Sequence, residues 1–160
     1  MKVVLDAGEM ATAQSVAAMR SAINRASSVR DGKMGGQSGY QTDLDGIVAE
    51  IAFCKWRNVY PDLTIKPRSG SADAVIGDKR VDVKATRYQN GRLLAVTGKR
   101  EEDADIYVLA IVNDNEVRFA GWAYAHELLR DENLMDLGHG QGYALPQNRL
   151  RQFKEEKVDA

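Results

Sequence analysis

Asp73, Asp82 and Lys84 stand close enough in the chain to act together, and Glu50 stands where a carboxylate needs a reason to be. The stretch Gly70-Ser-Ala-Asp73-Ala-Val-Ile-Gly77-Asp78-Lys-Arg-Val-Asp82-Val-Lys84-Ala-Thr86 reads as two strands joined by a tight turn at Gly77-Asp78, a pair favoured in two-residue hairpins. Counting outward from that turn sets Ile76 against Lys79, Val75 against Arg80, Ala74 against Val81 and Asp73 against Asp82. Directly opposed residues share a face, with Cβ atoms about 4.5 to 5.5 Å apart. Alternation then puts Arg80, Asp82, Lys84 and Thr86 on that face and Val81, Val83 and Ala85 on the other. Two opposed carboxylates repel unless positive charge lies between them, and a divalent cation is the natural one. Carboxylate oxygens suit Mg²⁺, with Mn²⁺ as a substitute, and Mg²⁺ commonly shares its remaining positions with water and substrate phosphate. Such an ion polarises a phosphoryl oxygen and lowers the pKa of a bound water, which fits phosphodiester hydrolysis, and Lys84 adds positive charge beside the reacting group.

Glu50 lies in the otherwise apolar run Gly46-Ile-Val-Ala-Glu-Ile-Ala-Phe53, where a lone carboxylate is costly unless it reaches water, a metal or a cation. A helical Glu, a hairpin Asp and an Asp-x-Lys on the paired strand together resemble the PD-(D/E)xK nuclease superfamily, which includes restriction endonucleases and Holliday-junction resolvases. The resemblance covers residues 45–122 in element order. It implies a restriction-endonuclease-like core and hydrolysis of DNA, with Asp73 and Asp82 as metal ligands, Lys84 as the catalytic lysine and Glu50 as an additional ligand or water-orienting acid. Ala72 stands where the pattern has its proline, and Asp82 where many members have Glu. The competing reading of the same residues is an ordinary surface hairpin with solvated charges or a cross-strand ion pair, and a Glu50 that pairs with a nearby base.

Those side chains need a helix behind a sheet. Val16, Met19, Ile23 and Ala26 recur at helical spacing and predict an N-terminal helix over residues 9–28. A glycine-rich loop over 31–40 follows, with Arg30 and Lys33 beside it as candidates to meet a phosphate backbone, or as parts of a plain connection. A second helix is expected from Thr42 or Asp43 to about Asn58, carrying Glu50. Strands are expected at 63–66, 72–76, 80–86, 92–96, 106–112 and 116–122, and helices at 123–130 and 147–156. The expected architecture is α/β, a central mixed sheet flanked by helices. It forms one domain, with residues 1–43 as an N-terminal helix and flexible loop and 44–160 as the catalytic core.

With 160 residues, 44% of them hydrophobic and 28% charged, the chain has the composition of one globular domain. No apolar run approaches the roughly 20 residues a membrane span requires, and a single cysteine, Cys54, agrees with a reducing compartment. The expectation is a cytoplasmic protein without membrane contact, in the host cytoplasm if phage-encoded. The formal net charge of −1 excludes a generally basic surface, but seven bases against one acid between Lys79 and Arg100 leave a local excess of +6. Arg80, Thr86, Arg87, Lys99 and Arg100 are therefore further candidates to contact nucleic acid, and a solvated strand surface is the other reading. His126 and His139 lack metal-site spacing, and the glycines near Lys99 do not form a phosphate-binding loop. A DNA partner and a homodimer follow from the resemblance. The rivals are a non-catalytic nucleic-acid-binding module of the same fold and a hydrolase of small phosphorylated substrates.

Overall fold

The computed structural model describes residues 1–26, 39–66 and 71–154. Strand β1 (Lys2–Val4) leads into helix α1 (Ala7–Ala26), and helix α2 (Gly39–Arg57) precedes the hairpin β2 (Ala74–Ile76) and β3 (Lys79–Thr86). Strands β4 (Leu93–Val96), β5 (Ile106–Asn113) and β6 (Glu116–Tyr124) follow, then a short helix α3 (Ala125–Leu128) and strands β7 (Leu134–Asp136) and β8 (Gln141–Leu145). The main sheet has five strands in the order β1-β6-β5-β3-β2, and β4-β8-β7 form a second, three-stranded sheet. Only the β3/β5 pair is parallel, so the main sheet is mixed and the fold is α/β.

Alternation along the strands gives the main sheet two buried faces. Val81, Val83, Val108, Ala110 and Val112 pack with Ala13, Val16, Ile47, Ile51 and Phe53, so α1 and α2 cover one face. Tyr107, Leu109 and Ile111 point the other way, against Leu93, Ala95, Leu128 and Leu145 of the small sheet and α3. Each fully buried Val, Ile or Leu contributes roughly 1.5–3 kcal/mol on removal from water. The two long helices thus flank one face only, and the second sheet with the short α3 covers the other.

Helix α1 begins earlier than its apolar spacing suggested because Asp6 and Glu9 cap each other. The Glu9 N–H donates to Asp6 Oδ1 and the Asp6 N–H to Glu9 Oε2, both at 2.8 Å. Expected strand 63–66 is not a strand. Leu63 and Ile65 pack on the core while Arg20 on α1 holds the carbonyls of Asp62 and Thr64. Expected helix 123–130 shrinks to Ala125–Leu128 because β6 runs on to Tyr124. Within the described part of expected helix 147–156, a 3₁₀ turn at Gln147–Arg149 gives way to extended chain, where Arg151 bridges to Trp122 on the outer edge of β6. The expected loop over 31–40 lies outside the described residues up to 38, and Gly39 and Tyr40 already belong to α2. Among the described residues no helix is long and apolar enough to cross a membrane.

Candidate functional site

The hairpin forms in the register obtained by counting, with Ile76 against Lys79, Val75 against Arg80 and Ala74 against Val81. The expected Asp73/Asp82 rung does not form. The ladder stops at Ala74, the Asp73 N–H donates to Val81 O at 2.8 Å, and the Asp73 carboxylate accepts the Val83 N–H at 2.7 Å. A short β2 therefore leaves Asp73 at the edge of β3 instead of across from Asp82.

Asp82 is 2% exposed, and two ammonium groups neutralise it. Lys84 Nζ lies 2.7 Å from Oδ1 and Lys99 Nζ lies 2.9 Å from Oδ2. The Lys84 contact is an ion pair without hydrogen-bond geometry, so Oδ1 accepts no hydrogen bond among the described residues. Beneath it, Asp82 is the register partner of Tyr107, whose ring is fully buried and whose hydroxyl has no hydrogen-bond partner among the described residues. Glu50 projects from α2 to Arg20 Nη1 at 3.3 Å. Arg20 thus ties α1, the 62–64 segment and the Glu50 carboxylate together.

The three acids feel one another. Burial, then the Asp73 charge, holds the Glu50 proton well above the usual carboxylate range, with Arg20 opposing and Asp82 adding to the rise. Burial, then the Asp82 charge, raises Asp73 to about 6, against the Val83 N–H, Lys84 and Lys99. Glu50, Asp73, Asp82 and Lys84 therefore belong to one electrostatic cluster, wrapped around the edge of β3 where β2 ends. An open groove of about 700 Å³, lined by residues 59–64 and 72–75, has Asp73 in its wall and Tyr60, 86% exposed, among its lining residues.

Carboxylate oxygens are the donor type a hard divalent cation takes, but each of these acids already has a partner: Glu50 faces Arg20, Asp73 the Val83 N–H, and Asp82 the ammonium groups of Lys84 and Lys99. No three His, Cys, Asp or Glu side chains among the described residues are drawn into one coordination group, because the cluster's acids are turned to Arg20, the Val83 N–H and the two lysines.

The basic stretch is not a free positive surface. Lys79, Arg80, Lys84, Arg87, Lys99 and Arg100 each meet a carboxylate. Arg80 grips Asp105 through Nε and Nη2 at 3.1 Å each and also reaches the Glu102 carbonyl. Arg87 grips the buried Asp45 at 2.7 and 2.9 Å. The Thr86 hydroxyl accepts the Tyr88 N–H at 3.2 Å in the turn after β3. Arg100 stays 68% exposed beside Glu102 and Asp103. Arg30 and Lys33 lie outside the described residues. Cys54 is a buried core thiol, raised to about 11 mainly by burial.

Two contacts at the site were not readable from spacing: Lys99 on Asp82 and Arg20 on Glu50. Lys99 carries its signal only as part of a basic run, and Arg20 only as a base on α1. Comparisons with protein-family models, with curated proteins and with solved structures find no match for this chain.

Proposed function

We propose that the chain is a metal-dependent nuclease with a restriction-endonuclease-like core that hydrolyses DNA phosphodiester bonds. The observation that carries this reading is the convergence of Glu50, Asp73 and Asp82 in one electrostatic cluster, with Lys84 on the Asp82 carboxylate. Asp73 and Asp82 would hold Mg²⁺ or Mn²⁺, with Glu50 as a further acid. The bound ion supplies Lewis acidity and an acidified water. Lys84, on a central strand and at the edge of the cluster, stabilises charge on the phosphate as the bond breaks. Arg20 keeps Glu50 in place and holds the 62–64 segment beside the groove. DNA as substrate rests on the resemblance of the Asp, Asp-x-Lys and helical Glu pattern.

One observation favours a second reading, a nucleic-acid-binding module without catalysis: both oxygens of Asp82 already face ammonium groups. The two readings separate on linear, circular, single-stranded and branched DNA incubated with Mg²⁺, Mn²⁺ or EDTA, beside a folded Lys84→Ala variant. Cleavage that needs metal and vanishes in the variant supports the nuclease. Binding without cleavage on every DNA, and on RNA, supports the module.

A further inference from the structure

Tyr60 is the most exposed of the large apolar side chains among the described residues, and it stands on an anchored segment. Helix α2 ends in a left-handed turn, with Asn58 at φ +54° and the Val59 N–H donating to Cys54 O at 3.0 Å. Pro61 fixes its own φ, and beyond it Arg20 holds the carbonyls of Asp62 and Thr64 while Leu63 and Ile65 pack on the core. The backbone on both sides of Tyr60 is therefore held while its ring stands in solvent. Val75, 57% exposed on β2, the outer strand of the main sheet, lines the same groove. The acids in the lining are already engaged: Asp62 accepts the Thr64 N–H at 2.9 Å and meets Lys66 Nζ at 3.3 Å, and Asp73 accepts the Val83 N–H. What the groove offers an occupant is an aromatic face and apolar surface, and the described residues lining it include no Lys or Arg to receive a phosphate.

A ring face presented to water on an anchored backbone suits a planar, uncharged partner, and every nucleobase has such a face. We propose that the groove receives one unpaired nucleobase, stacked on Tyr60, so that the substrate is a single strand or a strand with an unpaired nucleotide beside the bond to be cut. The inference rests on the nuclease reading of the cluster and adds its substrate class. Size agrees: the groove's volume of about 700 Å³ lies within the roughly 300–1,000 Å³ of small-ligand sites, enough for one nucleotide and too little for a duplex. Asp73 joins groove and cluster, because it lines the first and shares the electrostatics of the second with Glu50 and Asp82. A base seated on Tyr60 thus brings its own backbone to the edge of β3 that carries the cluster. Stacking accepts any base, so the groove selects the unpaired state and not the sequence.

The test is fluorescence anisotropy of the full chain on labelled single-stranded DNA, single-stranded RNA and duplex DNA, in EDTA and again with Ca²⁺, for wild type, Tyr60→Ala, Tyr60→Phe and Tyr60→Trp, with circular dichroism melts to establish folding. Tyr60→Ala is expected to weaken single-strand binding by about tenfold. Duplex binding and the slope of log affinity against log salt stay unchanged, because the ring touches no phosphate. Tyr60→Phe keeps the affinity, and Tyr60→Trp keeps it and adds indole fluorescence that the single strand quenches. On an abasic strand, wild type and Tyr60→Ala bind alike. The same pattern on RNA alone supports the inference and moves the nuclease reading from DNA to RNA. Unchanged single-strand binding in folded Tyr60→Ala, or an equal loss on single strand and duplex, overturns the inference and leaves the nuclease reading standing. Wild-type binding to no nucleic acid, whether or not an oligoarginine peptide binds through Tyr60, overturns both.

Discussion

The carboxylate of Asp73 accepts the N–H of Val83 at 2.7 Å, the place that the Ala72 carbonyl would hold had the β2/β3 ladder continued in register. A side chain here substitutes for a strand. The contact serves the fold as well as the site, because it satisfies a backbone donor that the short β2 leaves behind. Asp73→Ala removes that acceptor and is expected to cost roughly 1–3 kcal/mol, the penalty of an unsatisfied donor. Asp73→Asn keeps an acceptor oxygen while removing a charge that burial and Asp82 disfavour. At pH 8 and without divalent cations, thermal melts should rank Asp73→Asn at or above wild type and Asp73→Ala below both.

The same cluster sets a pH dependence of unusual sign. Asp73 titrates at about 6 in the folded chain against 3.8 ordinarily, so between those values the folded state binds more protons than the unfolded one and stability falls as pH rises. Glu50 acts in the same direction, starting from its ordinary 4.5. Asp62, Asp105 and Glu127, each lowered to about 2 chiefly by side-chain hydrogen bonds, act oppositely and lose their contribution only in stronger acid. Urea denaturation across pH should show a maximum near pH 4 to 5 and a decline toward pH 7. Asp73→Asn should flatten that decline, and Mg²⁺ should flatten it in wild type if the cluster holds the ion. A steady rise from pH 4 to 7 in wild type would contradict the repulsion assigned to these acids.

Local rules carried the sequence reading a long way at the hairpin. A two-residue turn at Gly77-Asp78 fixes which residues oppose one another, and those three rungs form as counted. What counting could not supply is where the ladder ends, because that depends on a side chain competing with the backbone for the Val83 N–H. The failures elsewhere have the same origin in distant contacts. Residues 63–66 alternate like a strand but join neither sheet, and Arg20 from α1 takes the carbonyls of Asp62 and Thr64 instead. The segment after Pro146 has helical composition, yet the free edge of β6 at Trp122 captures Arg151. Lys99 reached Asp82 through the fold of the β4–β5 connection, which no short-range spacing encodes. The start of α1 was missed for a local reason instead: apolar spacing placed it near Glu9, whereas the reciprocal Asp6 and Glu9 hydrogen bonds start the helix at Ala7.

Arg87 is expected to be a structural residue before it is a nucleic-acid contact. It makes two hydrogen bonds to Asp45, which is 3% exposed on α2 and also accepts Gln41 Nε2 at 2.7 Å. Arg87→Met leaves a buried carboxylate without its main cation and should cost roughly 3 kcal/mol in urea denaturation. The double variant Arg87→Met with Asp45→Asn should recover much of that loss, since the unpaired charge goes with its partner. Equal losses in the single and double variants would mean that packing, not charge, sets the cost.

Gly121 marks the irregularity in the β5/β6 ladder, where Leu109 opposes Gly121 and Ala110 opposes Phe119. Its φ is +154°, and a Cβ there would lie 2.7 Å from Leu150 Cβ and 2.8 Å from the Arg151 carbonyl. That carbonyl accepts the Trp122 N–H at 3.0 Å, so the C-terminal segment has little room to retreat without losing its bridge. Gly121→Ala should therefore lower stability by about 1–3 kcal/mol, combining backbone strain with the clash. Hydrogen exchange should report the loss at Trp122 and Arg151 first, with the β3 amides protected until global unfolding.

Arg20 is the residue whose loss should separate positioning from chemistry. Its guanidinium donates to Asp62 O at 2.6 Å, Thr64 O at 3.1 Å and Glu50 Oε2 at 3.3 Å, and it lowers a Glu50 pKa that burial has raised. Arg20→Met removes both functions. Exchange of the amides in 59–66, beside the groove, should quicken whatever the protein's activity, because two carbonyl anchors are gone. If the cluster cleaves DNA with Glu50 ionised, the acid limb of the pH–rate profile should also move to higher pH, since the proton on Glu50 is then held more tightly. Arg20→Lys retains the charge but cannot reproduce the three-way grip, so it should restore much of the pH profile while leaving 59–66 less protected than in wild type. Faster exchange with an unmoved acid limb would assign Arg20 to the fold alone and remove Glu50 from the ionisations that control the rate.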